Sequence, residues 1–497
     1  MGDANTVLSA AETRHLFKRT GFGASPKDVA KSLQRGDTRG EAADRILKFT
    51  PKKFQPGGKG KNPSEQDSHD QWITFMLKTK FPLQEKLVLY WHDHFATSNV
   101  KVANTRLMAE QNLLLRLMCK GSFKDFMKAM NKNAAMMEFL DIVRSGRKQP
   151  NENYARELME LFTVGVLDTA GNPNYLQDDI VQIARAFSGW RYDDKKKDVA
   201  FLDSSHHDFM ADYPARGPKT IFTVRGGFGP SGRSFAANGE GAPEIDTVID
   251  ILFDHTDTDG KNTVARRLGR RLLEYFAHAD PDIGVIDEVV ANSGFSSNWD
   301  IGGLVRAILV HDSFYETAGV PPFSASSKKS VTWPTDFVVT TLRTLNVVPG
   351  AKHGDALRVA GGAAIRDRLG DMGQTLLEPP SVFGWDWETS WISSATLLAR
   401  FSFARDVVGA RVKGKGGFHP EKLVDVGLTA PGAIVDAVTD VLGIADQLTV
   451  DERQALIDYL SDNGSNPVID LTDPDVQNVK LHGLFALVLT APAYHTH

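Results

Sequence analysis

From Asn151 to Val164 the chain reads NENYARELMELFTV, with no glycine or proline until Gly165. That unbroken run limits the fold more than any other stretch. At about 100° per residue it splits into two faces. Ala155, Leu158, Met159, Leu161 and Phe162 form an apolar arc; Glu152, Asn153, Arg156, Glu157 and Glu160 form a polar one. Asn151 is a suitable N-cap, and Glu152 falls in the first turn, where a helix favours negative charge. The run therefore predicts one helix of about four turns. Turn signals follow at Gly171, Asn172, Pro173 and Asn174, and a second helix is predicted over 176–187, with Asp178 and Asp179 in its first turn and Ser188, Gly189 and Trp190 at its end. So short a connection makes a helical hairpin.

The polar arc allows two readings. In one it is a solvated ladder, since Glu152, Arg156 and Glu160 fall at i, i+4 and i+8 and the arginine can bridge both acids. In the other it faces a cleft, where an arginine-held carboxylate stays ionised while a less well paired neighbour is protonated more readily. Periodicity fits both.

Helical texture dominates elsewhere. Three short helices are predicted over 8–48, the first capped by Ser9 with Glu12 three residues on. Helical segments follow from 67 to 119 with Phe81-Pro82 between the first two, then one helix over 121–148. LQEKLVLYWHDHFATS brings Trp91, His92, Asp93 and His94 together. On a helix His92 and His94 diverge by about 200°, whereas a helix-borne zinc pair wants i, i+4 spacing. From 191 to 243 the texture turns irregular, with His206, His207 and Asp208 in SSHHDF and a short strand predicted over 220–224. A long loop of this kind is often a lid or binding loop; His207 beside Asp208 fits a general base with an orienting carboxylate, part of a metal site, or a surface histidine. Helices return over 244–312, where Arg266, Arg267, Arg270 and Arg271 read as a solvated basic stripe or as a surface that recognises an anionic polymer or a partner. Trp385, Trp387 and Trp391 lie close together in EPPSVFGWDWETSWI, as a stacking platform for a ligand or as the loop's core anchor. Amphipathic helices close the chain over 420–497, with Thr449 as a cap.

The 497 residues are 41% hydrophobic and carry a formal net charge of −5. An acidic chain with only short basic runs, such as Lys195 to Lys197, is not built for nucleic acid. The one cysteine, Cys119 in an apolar helix, excludes a disulfide framework and a cysteine-rich zinc site and reads as packed. No apolar run is long enough to span a membrane. No signal peptide is visible, and MGDANTVLSA reads as a trimmed start.

WHDHFATS, NENYARELMELFTVGV, the helix ending in SGW, HHD with PKTIF, and EPPSVFGWDWETSWI occur in an order and spacing that resemble the large bacterial family catalogued as domain of unknown function 1800, from RTGFG to the terminal LTAPAY. The resemblance implies a protein commonly exported and often encoded beside a sulfatase-like partner. It makes Glu152, Asn153, Arg156, Glu157, Glu160, Asp179, Trp190, His207, Asp208, Lys219, Trp385 and Trp391 shared positions of the family, although the spacing from Asp208 to Lys219 is longer than the family's compact HD-x-G-x-K.

The expectation is a mainly α protein: one large helical assembly over residues 1–497 with an irregular loop layer. The first functional expectation is an exported hydrolase acting on a polysaccharide or oligosaccharide. Glu157, Glu160 and Asp179 would be its candidate catalytic carboxylates and His207 an accessory acid or base. Arg156, Glu152, Asn153, Trp91, His92, Trp190, Asp208, Lys219, Trp385 and Trp391 would bind substrate, with no cofactor required. The alternatives are a divalent-metal or cofactor enzyme using His92, His94, His207 and Asp208, and a non-catalytic helical partner of the sulfatase-like protein.

Overall fold

Side-chain caps start the helices where the pattern predicts them. The computed structural model describes residues 3–57, 63–194, 199–209, 217–235, 241–322, 327–350, 357–359, 362–410 and 417–497; the Lys195 to Lys197 run lies outside them. Ser9 and Glu12 form a reciprocal capping box on the helix Ala10–Thr20, as do Thr38 and Glu41 on Arg39–Leu47 and Thr449 and Glu452 on Val450–Ser461. Each box satisfies backbone N–H groups that a helix start leaves without an internal partner. Pro26 and Pro82 stand in the first turns of Pro26–Arg35 and Pro82–His94, where the missing N–H costs nothing.

The chain is predominantly helical, and the described strands form two small antiparallel pairs. Trp190–Asp193 pairs with Val199–Leu202, and Lys219–Ile221 with Arg233–Phe235. The second pair corrects the predicted strand: it begins at Lys219 and stops before Phe222, whose φ of +58° turns the backbone out of line. A hydrophobic cluster draws on the chain from Leu8 to Tyr494. No helix among the described residues is long and apolar enough to cross a membrane.

Three other expectations are corrected. The stretch 121–148 is two helices, Phe123–Met130 and Ala134–Phe139, followed by the 3-10 turn Ile142–Arg144. Asn133 leaves the helical path because its side chain caps the second helix at the Met136 N–H. The run from Asn151 is not one regular helix either: Glu152–Glu157 is α-helical and Leu158–Phe162 is a π-turn. The arginine stripe is only partly solvated. Arg266 is buried among Asp257, Asp259 and Asp287, and Arg267 donates to the Glu160 carbonyl at 2.7 Å. Arg271 lies 4.1 Å over the Trp387 ring, whereas Arg270 stays about two-fifths exposed. Neighbouring acids and carbonyls, which helix periodicity does not report, turn these arginines into tertiary anchors.

Candidate functional site

The π-turn decides which acids of the central polar face can act together. A wider i→i+5 turn shifts residues out of the i, i+4 row. Arg156 therefore pairs with Glu152 at 3.7 Å and donates to Gln177 at 3.1 Å, while Gln177 closes the ring by donating to Glu152 at 2.7 Å. Arg156 and Glu152 are each about two-fifths exposed. Asn153, half-buried, has its backbone N–H on the Asn151 cap. Glu157, the last α-helical residue, is buried. Burial pushes its carboxyl up, the charge of Glu160 pushes it further, and Arg156 opposes them. Glu160 accepts from the Tyr175 hydroxyl at 3.4 Å, and burial first, then the charge of Glu160, pushes that phenol up to about 12.

Arg267 fixes the far side of this turn. Its guanidinium passes so close to Gly165 that a Cβ there would stand 2.6 Å from Nη1, and the φ of +77° at Gly165 is itself one that glycine tolerates best. Burial, then the charge of Arg271, lowers the Arg267 pKa to about 10. Asp179, in the first turn of the second helix, is spent on backbone: its two oxygens accept the Leu176 N–H at 2.7 Å and the Phe222 N–H at 2.6 Å. It caps its helix and holds the end of the strand Lys219–Ile221.

His207, Asp208 and Lys219 come together in a second, fully buried cluster. His207 Nδ1 donates to the Ser188 carbonyl at 2.7 Å, which leaves Nε2 facing Lys219 Nζ and Glu244 Oε1, both at 3.3 Å. Lys219 is ion-paired with Glu244, and Arg185 Nε donates to Asp208 at 3.3 Å. The Asp208 N–H is taken by Ser188 Oγ. Lys219 thus reaches His207 despite the long spacing from Asp208. The cluster ties the irregular segment to the helices Gln177–Phe187 and Glu244–Phe253.

The helix Pro82–His94 and the tryptophan loop form a third grouping. His92 Nε2 accepts the Leu377 N–H at 3.1 Å, and burial lowers its pKa to about 3. His94, on the other side, packs edge-on to Trp91 and Phe95. Trp91 is wholly buried and donates to the Cys119 carbonyl at 2.9 Å; Cys119 is packed, its thiol pushed up to about 12 by burial. Asp93, not singled out by sequence, is the loop's anchor. It accepts the Trp385 N–H at 2.8 Å and the Trp387 indole N–H at 2.9 Å, and Arg271 lies 3.5 Å away. Burial pushes its carboxyl up to about 6. A Cβ on Gly384 would collide with the same carboxylate. Trp385 and Trp391 are buried, and Trp333 packs on Trp387 and Trp391 at 5.4 and 5.8 Å between ring centres. Trp190 is buried as well, at the start of its strand. These indoles anchor the loop in the core.

The blocks around these three groupings run almost the length of the chain, and the family described as protein of unknown function (DUF1800) matches residues 15–496. The chain belongs to the DUF1800 family. No curated protein matches it, and no solved structure does. Within this DUF1800 chain, one set of described histidine and carboxylate side chains has metal-ligand spacing, and it lies elsewhere: Glu65, His69 and Glu378, with donor atoms all within 4.8 Å of one another. Glu65 and His69 carry a legible signal, i, i+4 on one helix face. Glu378, Glu244 and Asp93 carry none, because their partners are distant in sequence.

Proposed function

We propose that this chain is an exported hydrolase acting on a carbohydrate polymer, with Glu157 as the acid and Glu160 as the second catalytic carboxylate. The observation that carries the reading is Glu157: it alone of the ladder acids is buried with its carboxyl pushed up by burial and by a neighbouring carboxylate. Two acids held in different protonation states at one pH are what acid-assisted cleavage of a glycosidic bond requires. Glu157 donates its proton to the leaving oxygen, while Glu160, within reach of the Tyr175 hydroxyl, stabilises the developing cation or activates water. Arg156 and Tyr175 flank the pair as polar contacts for sugar hydroxyls.

The test is release of reducing ends from a panel of polysaccharides by the purified chain. Glu157→Gln and Glu160→Gln are each expected to lower kcat by about 10²–10⁴-fold. The pH profile adds a signature: activity falls as pH rises through the raised Glu157 pKa, and Glu160→Gln, by removing a like charge, moves that limb to lower pH. Unchanged turnover in both variants sinks the proposal. Co-purification with a sulfatase-like protein, with no glycan cleaved, favours the scaffold reading instead.

A further inference from the structure

The geometry points to a divalent transition-metal site of the zinc type formed by Glu65, His69 and Glu378. It shares no residue with the Glu157 and Glu160 pair. Glu65 and His69 stand one turn apart on the helix Glu65–Lys78, with His69 Nε2 3.9 Å from Glu65 Oε1. Glu378 approaches from a separate segment, which is held on both sides of Leu377: His92 accepts the Leu377 N–H at 3.1 Å and the Asn99 N–H donates to its carbonyl at 2.9 Å. Pro379 follows and restricts the backbone of Glu378 further. The third ligand is thus positioned before any ion arrives.

The deciding feature is the imidazole. His69 is only 5% exposed, and its Nε2 is buried with no hydrogen-bond partner in the protein. A buried polar atom without a partner is uncommon and asks for something to bind it. Here it lies 3.9 Å from Glu65 Oε1, and both glutamates are only partly buried.

Ligand chemistry selects the ion. One imidazole and two carboxylates suit zinc or a similar transition metal, whereas calcium takes six to eight oxygens and magnesium keeps most of its water. Donors about 2.0–2.2 Å from one zinc ion lie roughly 3–3.5 Å apart, so the two glutamates must close in by about 1 Å. Three protein ligands leave a fourth position for water. The nearby cation, Arg366, is paired with Asp367 at 3.4 Å.

The experiment is zinc titration of the full chain after chelator treatment, read by calorimetry and by elemental analysis after gel filtration, with cobalt(II) as a spectroscopic stand-in. One equivalent of zinc is expected, with visible cobalt absorption. His69→Gln, Glu65→Gln and Glu378→Gln should each weaken binding at least tenfold; the two glutamate variants keep the test decisive if the buried histidine variant does not fold. Less than one equivalent bound by the unmodified chain, or wild-type affinity in Glu65→Gln and Glu378→Gln, overturns the site.

Discussion

The polar groups on the helix Glu152–Glu157 and those around His207 have similar composition and opposite circumstances. Around His207 the charges are buried and matched, with Lys219 on Glu244 and Arg185 on Asp208. On the central face the exposed members, Glu152 and Arg156, are paired, whereas the buried one, Glu157, has a like charge beside it. Matched burial holds a loop in place; mismatched burial pushes a carboxyl's pKa up where solvent still reaches its neighbours. Proximity of acids and bases in sequence does not distinguish the two. What each charge meets after folding does.

The largest effect should come from unmatching the His207 cluster. Glu244→Ala leaves Lys219 buried and unpaired and is expected to cost about 3–5 kcal/mol, read by denaturant unfolding. If it costs less than about 1 kcal/mol, the cluster does not fasten the loop and the contrast fails.

Asp93 sharpens the comparison because it is buried and anchoring yet has its carboxyl pushed up to about 6, above its unfolded value. The folded state then holds a proton that the unfolded state has released, so this residue's contribution to stability falls as pH rises from about 4 to about 6. Asp93→Asn should flatten that slope in unfolding measured across the same range. An unaltered slope would show that the Arg271 charge, not burial, governs Asp93.

Gly165→Ala comes next. A left-handed backbone and a Cβ 2.6 Å from Arg267 should cost about 1–2 kcal/mol and, under the proposed function, should also lower kcat by displacing the turn that carries Glu160. Smallest is Glu152→Gln, at an exposed pair: within about 0.5 kcal/mol by thermal unfolding. A larger loss there would erase the distinction between the two regions.

Much of the helical architecture was legible because capping and periodicity are local. Ser9 with Glu12 and Thr449 with Glu452 read the same in the string and in the fold. The break at Asn131 to Asn133 was not, since a side chain that caps and one that continues a helix look alike until the cap forms. Of the candidate residues, His207 and Lys219 were legible, but Glu244, which joins them, was not. The tryptophans of the loop were visible as a group, and Asp93, which turns them inward, was passed over between two histidines.

By itself the sequence determined the α class, where many helices start, and which residues could titrate, because these depend on neighbours within a turn or two. Tertiary structure alone decided the state of each charge: whether Arg267 meets solvent or the Glu160 carbonyl, whether Asp179 is free or holds two amides, and whether His69 meets Glu378, which is remote in sequence. The physical reason is that burial and partners set the energy of a charge, and both come from segments that only folding brings together.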